Sequence, residues 1–102
     1  MATATPMQLG MVGLGRMGAG LVRRLMRDGH SCVVYDVNPA AVEALVADGA
    51  VGASSLADLA AKMTGPRHVW VMVPAGDITE STVLAVADVL SPGDAIIDGG
   101  NS

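Results

Sequence analysis

The chain has 102 residues, of which 51% are hydrophobic and 16% charged, with thirteen glycines, no phenylalanine and a net charge of −4. That length allows one domain at most, and the apolar content excludes a disordered segment. The acid excess argues against non-specific nucleic-acid binding, which needs clustered cations.

The first stretch, QLGMVGL, is apolar without polar alternation, as expected of a parallel strand covered on both faces. From Met17 to Arg27, Met17, Leu21, Val22, Leu25 and Met26 recur at helical spacing, with Arg23, Arg24, Arg27 and Asp28 opposite. Those arginines read as a solvated face near the helix end, where cations complement the dipole. Gly29 supplies the stop. SCVVYDV is a second strand. Asn38-Pro39 then pairs an N-cap with a proline at the first helical position, opening a helix with a Val42, Leu45 and Val46 stripe that Gly49 ends.

AVGA is a brief third strand, and SLAD at 55–58 has capping-box spacing and starts a helix through about Met63. HVWVMV at 68–73 is a fourth strand closed by Pro74. DITE at 77–80 resembles another capping box, leading a helix through about Leu90, and DAIID is a fifth strand. The alternation predicts an open parallel sheet of order 3-2-1-4-5 with helices on both faces, a Rossmann-type α/β fold. No repeat, low-complexity segment or linker interrupts it.

Cys32 is the single cysteine, so neither an internal disulfide nor a cysteine-based metal cluster is expected. It reads as a small buried residue, and the seven methionines as core filling. His30 and His68 have no partner at ligand spacing, so no metal site is expected. No apolar span reaches the ~20 residues needed to cross a bilayer. MATATPMQ lacks the pattern of a signal peptide, which makes the cytoplasm the expected location.

The chemistry sits at GLGRMG, residues 13–18. A bare G-x-G-x-x-G is weak, but here a strand precedes it, a helix follows, and an acid, Asp36, ends the next strand. Gly13 permits a tight turn, Gly15 lets the backbone approach a diphosphate, and Gly18 lets the helix pack closely on the sheet. Leu14, Arg16 and Met17 complete the loop. The plain alternative is a strand-to-helix turn with no ligand; with all three context tests met, a dinucleotide site is the preferred reading. Asp36 can accept both hydroxyls of an adenosine ribose, and Val37, Asn38, Pro39 and Ala40 bring no arginine to offset a 2′-phosphate. NAD is therefore favoured over NADP, with Arg16 the one nearby cation able to reach a phosphate. A second glycine motif, IIDGGNS at 96–102, falls at the end of the fifth strand; spacing alone leaves it open between a plain turn and a site in which Asn101 bonds a ligand.

Taken together, GLGRMG, YDVNP at 35–39, VPAG at 73–76 and IIDGGNS resemble the cofactor domain of 6-phosphogluconate dehydrogenase, particularly its shorter bacterial form. The resemblance runs from about Met7 to Ser102. GLGRMG also suits the related 3-hydroxyisobutyrate dehydrogenases, whereas DGGNS discriminates, since those relatives generally carry a serine-threonine pair there. The resemblance implies that residues Gly13 to Gly18 hold the pyrophosphate and that Asp36, Val37 and Asn38 contact the adenosine ribose. Val73, Pro74 and Ala75 would line the nicotinamide ribose, and Asn101 would touch both nicotinamide and substrate. NADP-using members carry asparagine and arginine where Asp36 and Val37 stand, which agrees with NAD. They also carry lysine in place of Pro74, so no side-chain contact is carried over from that position.

The family oxidises 6-phosphogluconate at C3, passes hydride to the nicotinamide and releases CO2 to give ribulose 5-phosphate in the pentose phosphate pathway. Its base and acid, a lysine and a glutamate, come from a following helical domain. Lys62 is the sole lysine here and falls in a helix away from the strand edge; Glu43 and Glu80 fall on helix surfaces. No catalytic residue is carried over. The expectation is a dinucleotide-binding domain over residues 1–102, a fragment that binds NAD without turnover and meets its sugar-phosphate substrate only with the following domain. A β-hydroxyacid dehydrogenase or imine reductase relative, and a free-standing nucleotide-binding module, are the alternatives.

Overall fold

The computed structural model describes residues 7–64, 66–73 and 77–98. Strands and helices alternate along them: β1 (Gln8–Val12), α1 (Arg16–Arg27), β2 (Ser31–Tyr35), α2 (Pro39–Ala47), β3 (Val51–Gly52), α3 (Leu56–Ala61), β4 (His68–Val71), α4 (Asp77–Val89) and β5 (Ala95–Asp98). Every pairing is parallel, and the sheet order is β3-β2-β1-β4-β5, as the alternation predicts.

Apolar side chains leave the strands in both directions, which is why the strand sequences lack polar alternation. On one face Met11, Cys32 and Val34 meet Val22 of α1 and Leu45 of α2. On the other, Val12, Val33, Val69 and Val71 meet Leu59 of α3 and Val86 of α4. Consecutive residues of β1 thus feed opposite cores. Among the described residues no helix is long and apolar enough to cross a membrane.

Local signals place most helix starts. Asn38 caps α2, its Oδ1 accepting the Ala40 N–H at 3.1 Å, and Ser55 caps α3, its Oγ accepting the Asp58 N–H at 3.0 Å. The return bond of that capping box is displaced by one residue, because Asp58 accepts from the N–H of Ser54. Four expectations shift. Met17 is 65% exposed and leaves the α1 stripe, since the first turn of α1 projects beyond the end of β1. Val46 is largely exposed, and the α2 stripe consists of Leu45 with half-buried Ala41 and Val42. Asp77 is the first residue of α4 rather than its cap. β4 ends at Val71, although the Met72 N–H still donates to the Val12 carbonyl at 2.8 Å; Pro74 lies outside the described residues.

The edge of the sheet where the strands begin is tied by side chains. Asp94 accepts from the backbone N–H of Arg67 at 2.7 Å, from its Nε at 2.9 Å and from the Ser91 N–H at 2.7 Å. The Arg67 guanidinium also donates to the Ala60 carbonyl and to Ser91 Oγ. One ion pair thereby joins α3, β4 and the turn before β5.

Candidate functional site

Strand register decides which loops meet. Val12 stands opposite Tyr35 and Val71, and Val71 opposite Asp98. The segments that follow, 13–15, 36–38 and 72–73, therefore gather at one edge of the sheet. β1 is the switch point: the helix after it covers one face, and the helix after its neighbour β4 covers the other. A crevice at that edge is where open α/β sheets take ligands.

The three loop glycines stand there for different reasons. Gly13 has φ +95°, and a Cβ on it would approach the Met72 carbonyl oxygen to 2.7 Å. A Cβ on Gly18 would overlap the Gly13 carbonyl oxygen. Both are required by packing, and they hold the front of α1 against the ends of β1 and β4. Gly15 differs: its φ of −67° suits any residue, and among the described residues a Cβ there would meet no atom within 4 Å. No packing contact among the described residues asks for a glycine at position 15; its missing side chain leaves space in front of a helix.

Among the described residues no side chain caps that helix front. Gly15 is the N-cap of α1 and offers no side chain to it, and the first turn contains no acid. Gly15, Arg16 and Met17 are exposed. α2 and α3 each have a capping side chain, a feature worth about 1 kcal/mol. At the start of α1 the first backbone N–H groups have no capping side chain and sit at the positive end of the dipole, which is an arrangement suited to an anion.

Asp36 follows β2 beside this front and is half-buried. Its Oδ2 accepts the Leu14 N–H at 2.6 Å and its Oδ1 accepts the Asn38 N–H at 2.8 Å. Val37, 87% exposed, and exposed Asn38 lie next to it. Sequence reading left the Asp36 carboxylate free for a ligand; half of its acceptor capacity is already used by backbone. The bond to Asn38 had a readable signal, since aspartate before x-Asn favours a local turn. The bond to Leu14 had none, because a backbone amide leaves no mark in the sequence.

The fold thus brings Gly13, Leu14, Gly15, Arg16, Met17, Gly18, Asp36, Val37, Asn38 and half-buried Val73 to one edge. Pro74, Ala75 and Asn101 lie outside the described residues. Lys62 is engaged elsewhere, its Nζ donating to the Gly52 carbonyl at 2.8 Å and pairing with Asp58 at 2.9 Å. Glu43 and Glu80 are exposed on α2 and α4.

With this geometry, the family described as the NAD binding domain of 6-phosphogluconate dehydrogenase matches residues 8–102. The chain belongs to this family. A 6-phosphogluconate dehydrogenase of Haloferax volcanii, named as NAD(+)-dependent and decarboxylating, is 43% identical over 96 residues, covering 94% of this chain and 32% of that protein. Among solved structures, the 6-phosphogluconate dehydrogenase of Plasmodium falciparum superposes with a TM-score of 0.84 at 25% identity, over 93% of this chain and 22% of that one. A Mycobacterium tuberculosis 3-hydroxyisobutyrate dehydrogenase superposes with a TM-score of 0.83 at 25% identity, over 94% of this chain and 32% of that one. The chain therefore spans about a third or less of the length of these relatives. Members of the 6-phosphogluconate dehydrogenase domain family bind a nicotinamide dinucleotide, and the crevice at β1 is where this fold carries one.

Proposed function

We propose that this chain is the cofactor domain of an NAD-dependent, decarboxylating 6-phosphogluconate dehydrogenase, and that it binds NAD without turning over substrate. The observation that carries this reading is the open front of α1, where a glycine that packing does not require exposes the first amides of a helix with no capping side chain. Gly13 to Gly18 hold the diphosphate through backbone N–H groups. Asp36, Val37 and Asn38 receive the adenosine ribose; Val73, Pro74 and Ala75 line the nicotinamide ribose; Asn101 reaches the nicotinamide and the substrate.

Preference for NAD follows from charge and from acceptor count. A carboxylate offers about four acceptor sites. The backbone uses two, which leaves two for the vicinal hydroxyls of a ribose. A 2′-phosphate would place anion against anion, at a cost of about 1–4 kcal/mol at contact distance. Residues 37–40 supply no cation to offset it. The Haloferax relative is named NAD(+)-dependent, while the Plasmodium structure is described with NADP+, so the family accommodates both. The 3-hydroxyisobutyrate dehydrogenase likeness marks a relative of the same fold; identity of 43% to the Haloferax protein favours the phosphogluconate reading.

Titration calorimetry with both dinucleotides tests the proposal. NAD is expected to bind at least ~5-fold more tightly than NADP, the lower end of the repulsion above. Equal affinities overturn the cofactor assignment, and no binding of either overturns the site. Oxidation of 6-phosphogluconate by the 102-residue chain alone overturns the claim that acid and base come from elsewhere.

A further inference from the structure

We infer that Asp36 is a positioning residue for the glycine loop, in addition to any contact it makes with a ribose. Its carboxylate latches the front of α1 to the front of α2. The Gly13 N–H donates to the Tyr35 carbonyl at 3.0 Å, the last rung between β1 and β2. The next amide, Leu14, continues in the same direction but finds no carbonyl; it donates to Asp36 Oδ2 at 2.6 Å. With that N–H held toward β2 and its side chain buried beneath α1, Leu14 is fixed at both ends. The chain then enters α1 through exposed Gly15, Arg16 and Met17, with no side chain capping the first amides. The other oxygen, Oδ1, accepts from Asn38 N–H, and Asn38 in turn caps α2. One side chain thereby sets two helix starts, and both bonds are strengthened by its charge.

This rests on the diphosphate reading above and adds a consequence: ribose recognition and diphosphate recognition share one group. Asparagine at position 36 has one acceptor oxygen and one NH2 donor, so it cannot accept from both amides in the same way. Replacing the acid therefore loosens the loop even for a ligand that has no ribose.

Inorganic pyrophosphate is such a ligand, and Asp36→Asn separates the two roles by sign. A ribose contact alone predicts pyrophosphate binding unchanged or tighter, because a like charge has been removed. The latch predicts binding about tenfold weaker, the scale of losing a hydrogen bond to a charged acceptor. A second measurement needs no ligand: in the unmodified chain the Leu14 amide exchanges with solvent at least ~10-fold more slowly than the Arg16 amide, and Asp36→Asn removes that protection while Met11 and Val34 in the ladder keep theirs. Weaker pyrophosphate binding with lost Leu14 protection supports the latch; either one unchanged overturns it. A Leu14 amide in the unmodified chain that exchanges as fast as Arg16 also overturns it, whether or not the variant folds. Should pyrophosphate fail to bind the unmodified chain, the diphosphate reading falls and the exchange measurement alone decides the latch.

Discussion

Substituting the three loop glycines one at a time should separate fold from function. Gly13→Ala places a Cβ on a backbone with φ +95° and drives it to 2.7 Å from the Met72 carbonyl oxygen. The left-handed backbone alone costs about 1–2 kcal/mol, and backbone overlap with an atom that cannot rotate away brings the total to about 3 kcal/mol or more. A domain of this size has about 5–15 kcal/mol in all, so the urea midpoint should fall steeply. Gly18→Ala should behave alike, since its Cβ would overlap the Gly13 carbonyl oxygen. Gly15→Leu meets neither penalty: φ is −67° and the space is empty. About 0.5–1 kcal/mol lost when an apolar residue replaces glycine at the cap is offset by about 0.4–1 kcal/mol from a less flexible unfolded chain. Stability should stay within about 1 kcal/mol of the unmodified protein. Dinucleotide affinity should nevertheless drop about 30–100-fold, because a side chain there separates the diphosphate from amides whose charge-assisted bonds are worth about 1.5–3 kcal/mol each. Urea unfolding followed by circular dichroism gives the first quantity and titration calorimetry the second. If Gly15→Leu unfolds as readily as Gly13→Ala, or binds NAD as well as the unmodified chain, the division between packing glycines and a ligand glycine is wrong.

Two further outcomes concern titrating groups. Backbone bonds from Arg67 and Ser91, and then the Arg67 side chain, hold the Asp94 carboxyl below the usual carboxylate value. The unfolded chain takes up that proton first, so the stability Asp94 contributes is present above pH ~4 and is lost as pH falls through the lower folded value. The urea midpoint of Asp94→Asn should lie well below that of the unmodified chain at pH 7, and the gap should close toward pH 2.5; a gap of constant width would contradict this. Burial pushes the Cys32 thiol up, so any stability linked to it is present below the unfolded value and lost as pH rises through the folded one. At pH 8 iodoacetamide should label the native chain at least ~100-fold more slowly than the chain in guanidinium; comparable rates would mean that the β2 core opens freely.

The sequence revealed most where a residue type has only one economical use. Asn38-Pro39 and Ser55 with Asp58 announced helix starts because their side chains can satisfy orphan amides. The unbroken apolar character of SCVVY and HVWV announced strands buried on both sides. The order 3-2-1-4-5 followed from the alternation together with a glycine loop after the first strand, the mark of the Rossmann-type sheet. What stayed hidden depended on partners distant in sequence. Met17 has the spacing of a core residue, yet its turn overhangs the sheet. Arg67 and Asp94 carried no signal as single residues, although each immediately precedes a strand of one parallel pair, and the His68–Ala95 register places them side by side. The Leu14 amide could not be read at all.

Among the described residues the two edges of the sheet are built on opposite principles, and that asymmetry bears on how the domain offsets a helix start without a capping side chain. Where the strands begin, polar groups are closed off by side chains. Arg67 and Asp94 clamp three elements. Gln8 bonds both the Lys62 carbonyl and the Thr64 N–H, and His30 Nδ1 accepts the Met7 N–H. Where the strands end, the first helix is left without a cap, and an aspartate that elsewhere would serve as one is spent on fixing the loop. Glycine in place of a capping side chain lowers stability by a few tenths of a kcal/mol, a deficit the bonds of the opposite edge can offset. A capping side chain at position 15 would recover that stability and, on the proposed reading, take the place of the diphosphate. Glycine at position 15 is therefore a feature that packing among the described residues does not explain and the proposed diphosphate contact does.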